Sequence, residues 1–261
     1  MAVEDEILVE TKDHIRLITI NREDRRNART SAHNELIAEA ILEADVIDDI
    51  FLIAITGVGD KAFSAGADLK EAVDRADRGE VNRGALHTYQ RSLHEVLIDS
   101  KKPIMAIVNG PAMAGGFELV LSSDIRVAAD HAFFAVPEAK RGRGAHFASV
   151  ALPQTVPPAI AMEWLFTGRR IPVEEAERWG LINRIAPSAQ LMDVAMEFAQ
   201  EIISSAPLSL QRMKRTYRKT TGMPLHSGLR LDIGPDPYRS EDQKEGARAF
   251  LEKRDPVWQG R

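Results

Sequence analysis

The chain has 261 residues, 44% of them hydrophobic and 28% charged, a composition ordinary for a globular protein and long enough for one large core or two small ones. A formal net charge of -5 gives the surface as a whole no electrostatic pull towards nucleic acid or acidic membrane. The absence of cysteine excludes disulfides, thiolate metal sites and a cysteine nucleophile.

The opening MAVEDEILVETKD is acidic and lacks the basic-then-apolar order of a secretory signal. No apolar run approaches the roughly 20 residues that span a bilayer, so a cytoplasmic location is expected. ILVET (7–11) and IRLITI (15–20) flank KDH and predict a hairpin. SAHNELIAEAILEA (31–44) has apolar residues at helical spacing behind a Ser/Thr start signal. FLIAITG (51–57) and PIMAIVNG (103–110) are short apolar runs that suit strands buried on both faces. Between them, DRADRGEVNRG (74–84) reads as a mobile surface loop, and the stretch 80–100 as a helix closing with LHEVLID. DIRVAAD (124–130) and AFFAVPE (132–138) predict two more strands, and LINRIAP (181–187) another. From 158 onward helical patterns dominate, the last of them capped by Ser240 ahead of acidic residues. Strands and helices alternate first and helices follow, which predicts an α/β core over 1–195 and a helical C-terminal region over 196–261.

NGPAMAGGFELVLSSD (109–124) carries the chemical question. Its helix, predicted over 116–123, is apolar on every side and should be buried, yet Glu118 sits in the first turn. An unpartnered buried carboxylate costs several kcal/mol or takes up a proton. A structural pairing with an arginine and a role in catalysis both answer to that position. FLIAITGVGDKAFSAGADLKE (51–71) has the same form: an apolar strand, then a turn of small residues. One backbone N–H from each turn, converging on one oxygen, would make an oxyanion hole.

Other features point less far. Gly57-Val58-Gly59 lacks the third glycine of a dinucleotide loop. Ser64 lies in a degenerate nucleophile-elbow pattern, but six residues separate the strand end at Thr56 from Phe63. His87 and His94, seven residues apart, share a helical face without a third ligand nearby and read as helix surface. Lys214, Arg215, Arg218 and Lys219 form a basic run.

FSAGADLKE, followed about fifty residues later by NGPAMAGGFELVLSSDI, resembles the crotonase (enoyl-CoA hydratase/isomerase) superfamily. The likeness continues in NREDRRNA (21–28), TGRRIPVEEAERWGLINRIAP (167–187) and EGARAFLEKRDPVW (246–258), nearly the whole chain in order. The resemblance implies an α/β spiral of repeated ββα units with a helical C-terminal region, assembling as a trimer or a dimer of trimers. It implies hydration of a 2-enoyl-CoA to a 3-hydroxyacyl-CoA, or the reverse, without a metal or redox cofactor. Glu118 and Glu138 match the two family glutamates that act on the water. Ala65 and Gly115 match the oxyanion donors, and removing one such donor typically costs ~2.7–4 kcal/mol of barrier. Arg26, Ala28, Ser64, Gly66, Ala67, Asp68, Leu69 and Gly116 would contact the acyl-CoA. The basic run 214–219 could approach the CoA phosphates, sometimes from a neighbouring subunit.

Two departures stand out. His146, Phe147 and Ala148 replace the small residues expected in a segment that lines the acyl pocket, so short-chain substrates are not implied. Arg29 replaces a leucine and is expected to bear on the CoA-facing loop. Three other activities compete: a double-bond isomerase of the same superfamily, a serine hydrolase using Ser64, and a crotonase-fold binding protein, for example of RNA.

Overall fold

The computed structural model describes residues 3–79 and 91–261. Its strands are β1 (Ile7–Lys12), β2 (Ile15–Ile20), β3 (Leu52–Gly57), β4 (Ile104–Val108), β5 (Ala112–Met113), β6 (Ile125–Ala129), β7 (Phe133–Ala135), β8 (Ile171–Pro172) and β9 (Arg184–Ala186). Its helices are α1 (Ser31–Val46), α2 (Leu69–Asp77), α3 (Leu93–Asp99), α4 (Gly115–Ser122), α5 (His146–Thr155) and α6 (Pro158–Thr167), followed by α7 (Val173–Arg178), α8 (Leu191–Ile203), α9 (Pro207–Thr220), α10 (Leu225–Gly228) and α11 (Glu241–Glu252).

The first hairpin forms as its alternation predicts, with Ile7 opposite Ile20 and Lys12 opposite Ile15. From β2 on, the main sheet is parallel, in the order β1-β2-β3-β4-β6-β9. A parallel strand with cover on both faces has no solvent side, which is why β3 and β4 are buried throughout and apolar but for Thr56, whose hydroxyl donates to the Ile107 carbonyl at 2.8 Å. Successive side chains still divide between the faces. Ile53, Ile55, Ile104 and Ala106 point into a core with Ile37 and Ile41 of α1 and Val96 and Leu97 of α3. Leu52, Ala54, Met105 and Ile107 point the other way, onto Leu191, Ala195, Ala199 and Ile203 of α8. A small second sheet, β5-β7-β8, stands beside the first.

Thr30 caps α1 by accepting from the His33 N–H, while the His33 ring accepts from the Thr30 N–H. Ser240 caps α11 by accepting from Gln243. Several expectations need correction. Of the loop expected over 74–84, residues 74–77 close helix α2 and 78–79 form a turn; the rest of it, with the start of the helix expected over 80–100 and His87, falls outside the described residues. The segment carrying His146, Phe147 and Ala148 is itself a helix. It starts behind Ala145 with no side-chain cap, so no start signal marks it. Among the described residues no helix is long and apolar enough to cross a membrane.

Candidate active site

The site lies where β3 and β4 end and their following loops meet. The 21–29 segment holds the first loop in place. Asn27, in a left-handed conformation (φ 53°), donates from Nδ2 to the carbonyls of Val58 and Ala62 at 3.1 and 2.7 Å. Arg22 donates to the Ala28 carbonyl at 2.6 Å and to the Asp68 carboxylate at 3.0 Å. Arg29 then pairs with the loop in parallel fashion, its N–H bonding the Gly66 carbonyl and its carbonyl accepting from Asp68, both at 2.8 Å.

This pairing decides which N–H groups are free. In a parallel ladder, a residue whose two neighbours are bonded to one partner turns its own N–H away from that partner. Ala67 is such a residue. Its N–H has no acceptor among the described residues, and its nitrogen lies 3.9 Å from the point where a Gly115 Cβ would stand. Ala65, by contrast, donates to the Arg26 carbonyl at 3.0 Å. The expectation that Ala65 supplies an oxyanion donor is therefore corrected: its N–H is already used, and the free one is two residues further on.

Gly115 provides the second free N–H, at the first position of α4, where no helical acceptor exists. Ala114 aims it from a backbone conformation (φ 51°, ψ -129°) that alanine rarely adopts. That conformation is held from both sides: the Ala114 N–H donates to Ala135 and its carbonyl accepts from Glu118, each at 3.0 Å. The two loops meet without room for a carbon. A Cβ on Gly66 (φ 93°) would come within 3.0 Å of the Gly115 nitrogen, and one on Gly116 would overlap the Ser64 carbonyl.

A cleft of about 910 Å³ opens over this junction, lined among others by Ala67, Gly115, Glu118, Glu138, Arg143 and His146. Of the expected acyl-CoA contacts, Arg26, Ala28, Asp68 and Leu69 also line it. Gly66, Gly116 and Ser64 do not; all three are buried packing residues. Ser64 donates its hydroxyl to the Asn27 carbonyl at 2.8 Å and accepts from the Gly66 N–H at 3.2 Å. Fully buried and bonded to backbone alone, it has neither the base nor the access a nucleophile needs.

The two glutamates face the same cleft in different states. Glu118 is 14% exposed. Burial pushes its carboxyl up, but the His94 ring 3.5 Å from Oε2, the Ala148 N–H donating to Oε1 at 3.1 Å and the nearby Arg29 charge outweigh it and hold the group below the usual carboxylate range. Glu138, half-buried on the turn Pro137–Arg141, is raised by burial and then by the Glu118 charge. Its Oε2 is buried without a hydrogen-bond partner.

Arg29 also departs from expectation. It lines the cleft itself, and its buried guanidinium donates from Nη2 to the Gly115 carbonyl at 2.9 Å, at the start of α4, rather than serving the CoA-facing loop alone. Burial lowers it to about 10, against the pull of Glu118. His94 is no free helix surface either: at 17% exposure it turns inward to Glu118. In the basic run, Lys214 and Arg218 are committed to Asp124 at 2.7 and 2.8 Å, and none of the four lines the cleft.

Comparison with known proteins gives the family. The enoyl-CoA hydratase/isomerase family model matches residues 10–261. The chain is 42% identical over 252 residues to a carnitinyl-CoA dehydratase of Salmonella paratyphi A, covering 94% of both chains. Its fold is similar to the crystal structure of an enoyl-CoA hydratase from Mycobacterium tuberculosis H37Rv (TM-score 0.86, 35% identity, 98% and 99% covered). A Bacillus anthracis enoyl-CoA hydratase superposes with a TM-score of 0.87 at 30% identity, covering 98% and 100%. With two free backbone donors, two opposed glutamates and a spiral core, the chain belongs to the enoyl-CoA hydratase/isomerase family, the crotonase superfamily.

Proposed function

We propose that this protein is a hydro-lyase that adds water across the double bond of a 2-enoyl-CoA, or removes it from a 3-hydroxyacyl-CoA. One observation carries the reading: Glu118 and Glu138 line one cleft with their ionisations displaced in opposite directions. Such a pair divides acid and base roles.

In hydration, the ionised Glu118 takes one proton from water as its oxygen bonds C3. Electrons move through C2 to the thioester carbonyl, and the negative oxygen is held by the N–H groups of Ala67 and Gly115. Collapse of the enolate then takes a proton from Glu138 onto C2. Dehydration runs the same steps backwards: Glu138 removes the C2 proton, and Glu118 protonates the departing hydroxyl. Polarising the thioester this way calls on no metal or redox group. An isomerase needs proton transfer alone, and the buried carboxylate in α4 would then have no water to activate.

The test is ultraviolet absorbance of the conjugated thioester, with a panel of straight, branched, aromatic and cationic acyl groups that includes carnitinyl-CoA. Wild type should consume or generate the enoyl absorbance with at least one member. Glu118→Gln and Glu138→Gln should each lose about 10²-fold or more in kcat. Survival of double-bond migration in Glu118→Gln, with no hydration in wild type, would replace the reading with an isomerase.

A further inference from the structure

Glu118 is held from one side by groups the reaction above does not use. His94 lies in the first turn of α3, on a different helix. That turn is rigidly closed: Ser92 accepts from the Glu95 N–H at 3.3 Å, and the Glu95 carboxylate accepts from the Ser92 N–H at 2.6 Å. The His94 ring stacks on Phe147 of α5, with centroids 4.8 Å apart and planes 22° apart. Both its position and its plane are therefore set.

The hydrogen-bond pattern then dictates where its protons are. Ser122 Oγ lies 2.6 Å from the Glu118 carbonyl. A carbonyl only accepts, so the serine hydroxyl proton points there. His94 Nδ1 lies 3.1 Å from the same Oγ, and the hydroxyl has no second proton to give it. Nδ1 must therefore be the donor. The other ring nitrogen, Nε2, faces Glu118 Oε2 at 3.5 Å. With Nδ1 as the donor to Ser122, Nε2 and Oε2 have between them one site for a further proton. A proton that Glu118 takes from water enters that site, where either atom can hold it and the other faces it.

We infer that His94 is a positioning residue for Glu118, which it orients and with which it shares a single proton through the Ser122–His94–Glu118 relay. This rests on Glu118 being the group that exchanges a proton with water. In dehydration the shared proton passes to the hydroxyl that leaves as water, and the pair is left without it. In hydration the pair takes one proton from water while the hydroxide adds to C3. The other groups near Glu118 among the described residues are these. Arg29 and Glu138 line the same cleft, the first holding the Gly115 carbonyl, and α5 offers the Ala148 N–H. His146 lines the cleft, and Glu95 is turned back onto Ser92.

Two measurements on the full chain test the relay. The first reads tautomers by ¹⁵N NMR of histidine-labelled protein and needs no turnover. His94 Nδ1 should resonate as a protonated nitrogen in wild type, and Ser122→Ala should abolish that fixed preference. An unprotonated Nδ1, or a tautomer indifferent to Ser122→Ala, would overturn the inference. The second compares pH profiles of wild type and His94→Gln with whichever thioester is turned over. Glutamine can donate to the carboxylate but cannot share a proton. KM should stay within about threefold, kcat should fall by about 10²-fold, and the limb due to Glu118 should move to higher pH. Unchanged kcat and profile in folded His94→Gln would refute the inference. If wild type acts on no thioester in the panel, the proposed reaction fails, while the NMR result still decides the relay.

Discussion

Glu118 is legible in the sequence as a carboxylate in an all-apolar helix, whereas Glu138, after a proline at a strand end, reads alone as an ordinary loop residue and is singled out only by the family resemblance. The opposite displacement of their ionisations is not legible there, because it depends on neighbours from separate elements: His94 from α3 and Ala148 from α5 on Glu118, and Glu118 in turn on Glu138. Ala65 was named in place of Ala67 for a related reason. Two alanines flank Gly66, and only the pairing with Arg29 tells which N–H is free. The raised Glu138 has a consequence for stability. A carboxyl whose folded value lies above its unfolded one stabilises the fold fully below the unfolded value, about pH 4.3, and loses that contribution as pH rises through the folded value. At neutral pH, Glu138→Gln should therefore be more stable than wild type, by up to about 1 kcal/mol after screening of a half-exposed group. Urea unfolding at pH 7 and pH 4 checks this, since the advantage should vanish at the lower pH.

Among the elements, the long apolar strands and the capped helices α1 and α11 follow from local pattern. The two-residue strands β5 and β8 and the helix α5 do not. α5 opens without a capping side chain and contains Pro153, so it owes its form to packing, with Ala148 and Leu152 buried against the core. α4 is the element on which the site depends most directly. Its approach to the 64–67 loop is fixed by Gly116, whose added methyl would overlap the Ser64 carbonyl. Backbone cannot step aside as a side chain can. Gly116→Ala should cost about 3 kcal/mol or more and move Gly115 away from Ala67. Denaturant midpoint and kcat should fall together, whereas Gly144→Ala, with nothing within 4 Å, should leave the midpoint nearly unchanged.

Across the whole molecule, α9 is tied to the sheet through one acidic side chain. Asp124 accepts from Lys214 at 2.7 Å, Arg218 at 2.8 Å and the Ile104 N–H at 2.9 Å. Burial raises its carboxyl, but Lys214 and Arg218 more than compensate and hold it below its ordinary value. A group depressed in this way stabilises the fold above its unfolded value and loses that contribution as pH falls through its folded one. Asp124→Asn leaves Lys214 buried without its counter-charge, and should cost about 3–5 kcal/mol at pH 7. The deficit should shrink in acid, as read by urea unfolding. Basic residues spaced along a helix look alike in a sequence whether they meet a ligand or a buried carboxylate, so the structural use of 214 and 218 could not be read there.

The contact between the 64–67 and 113–116 backbones also bears on how such a protein can change over generations. Where two main chains touch, no single replacement can reshape the wall gradually, because the first added carbon already damages the fold. New specificity must then enter where side chains form the boundary, at Arg143 and His146 among others, while the free N–H groups of Ala67 and Gly115 pass unaltered from one activity to the next.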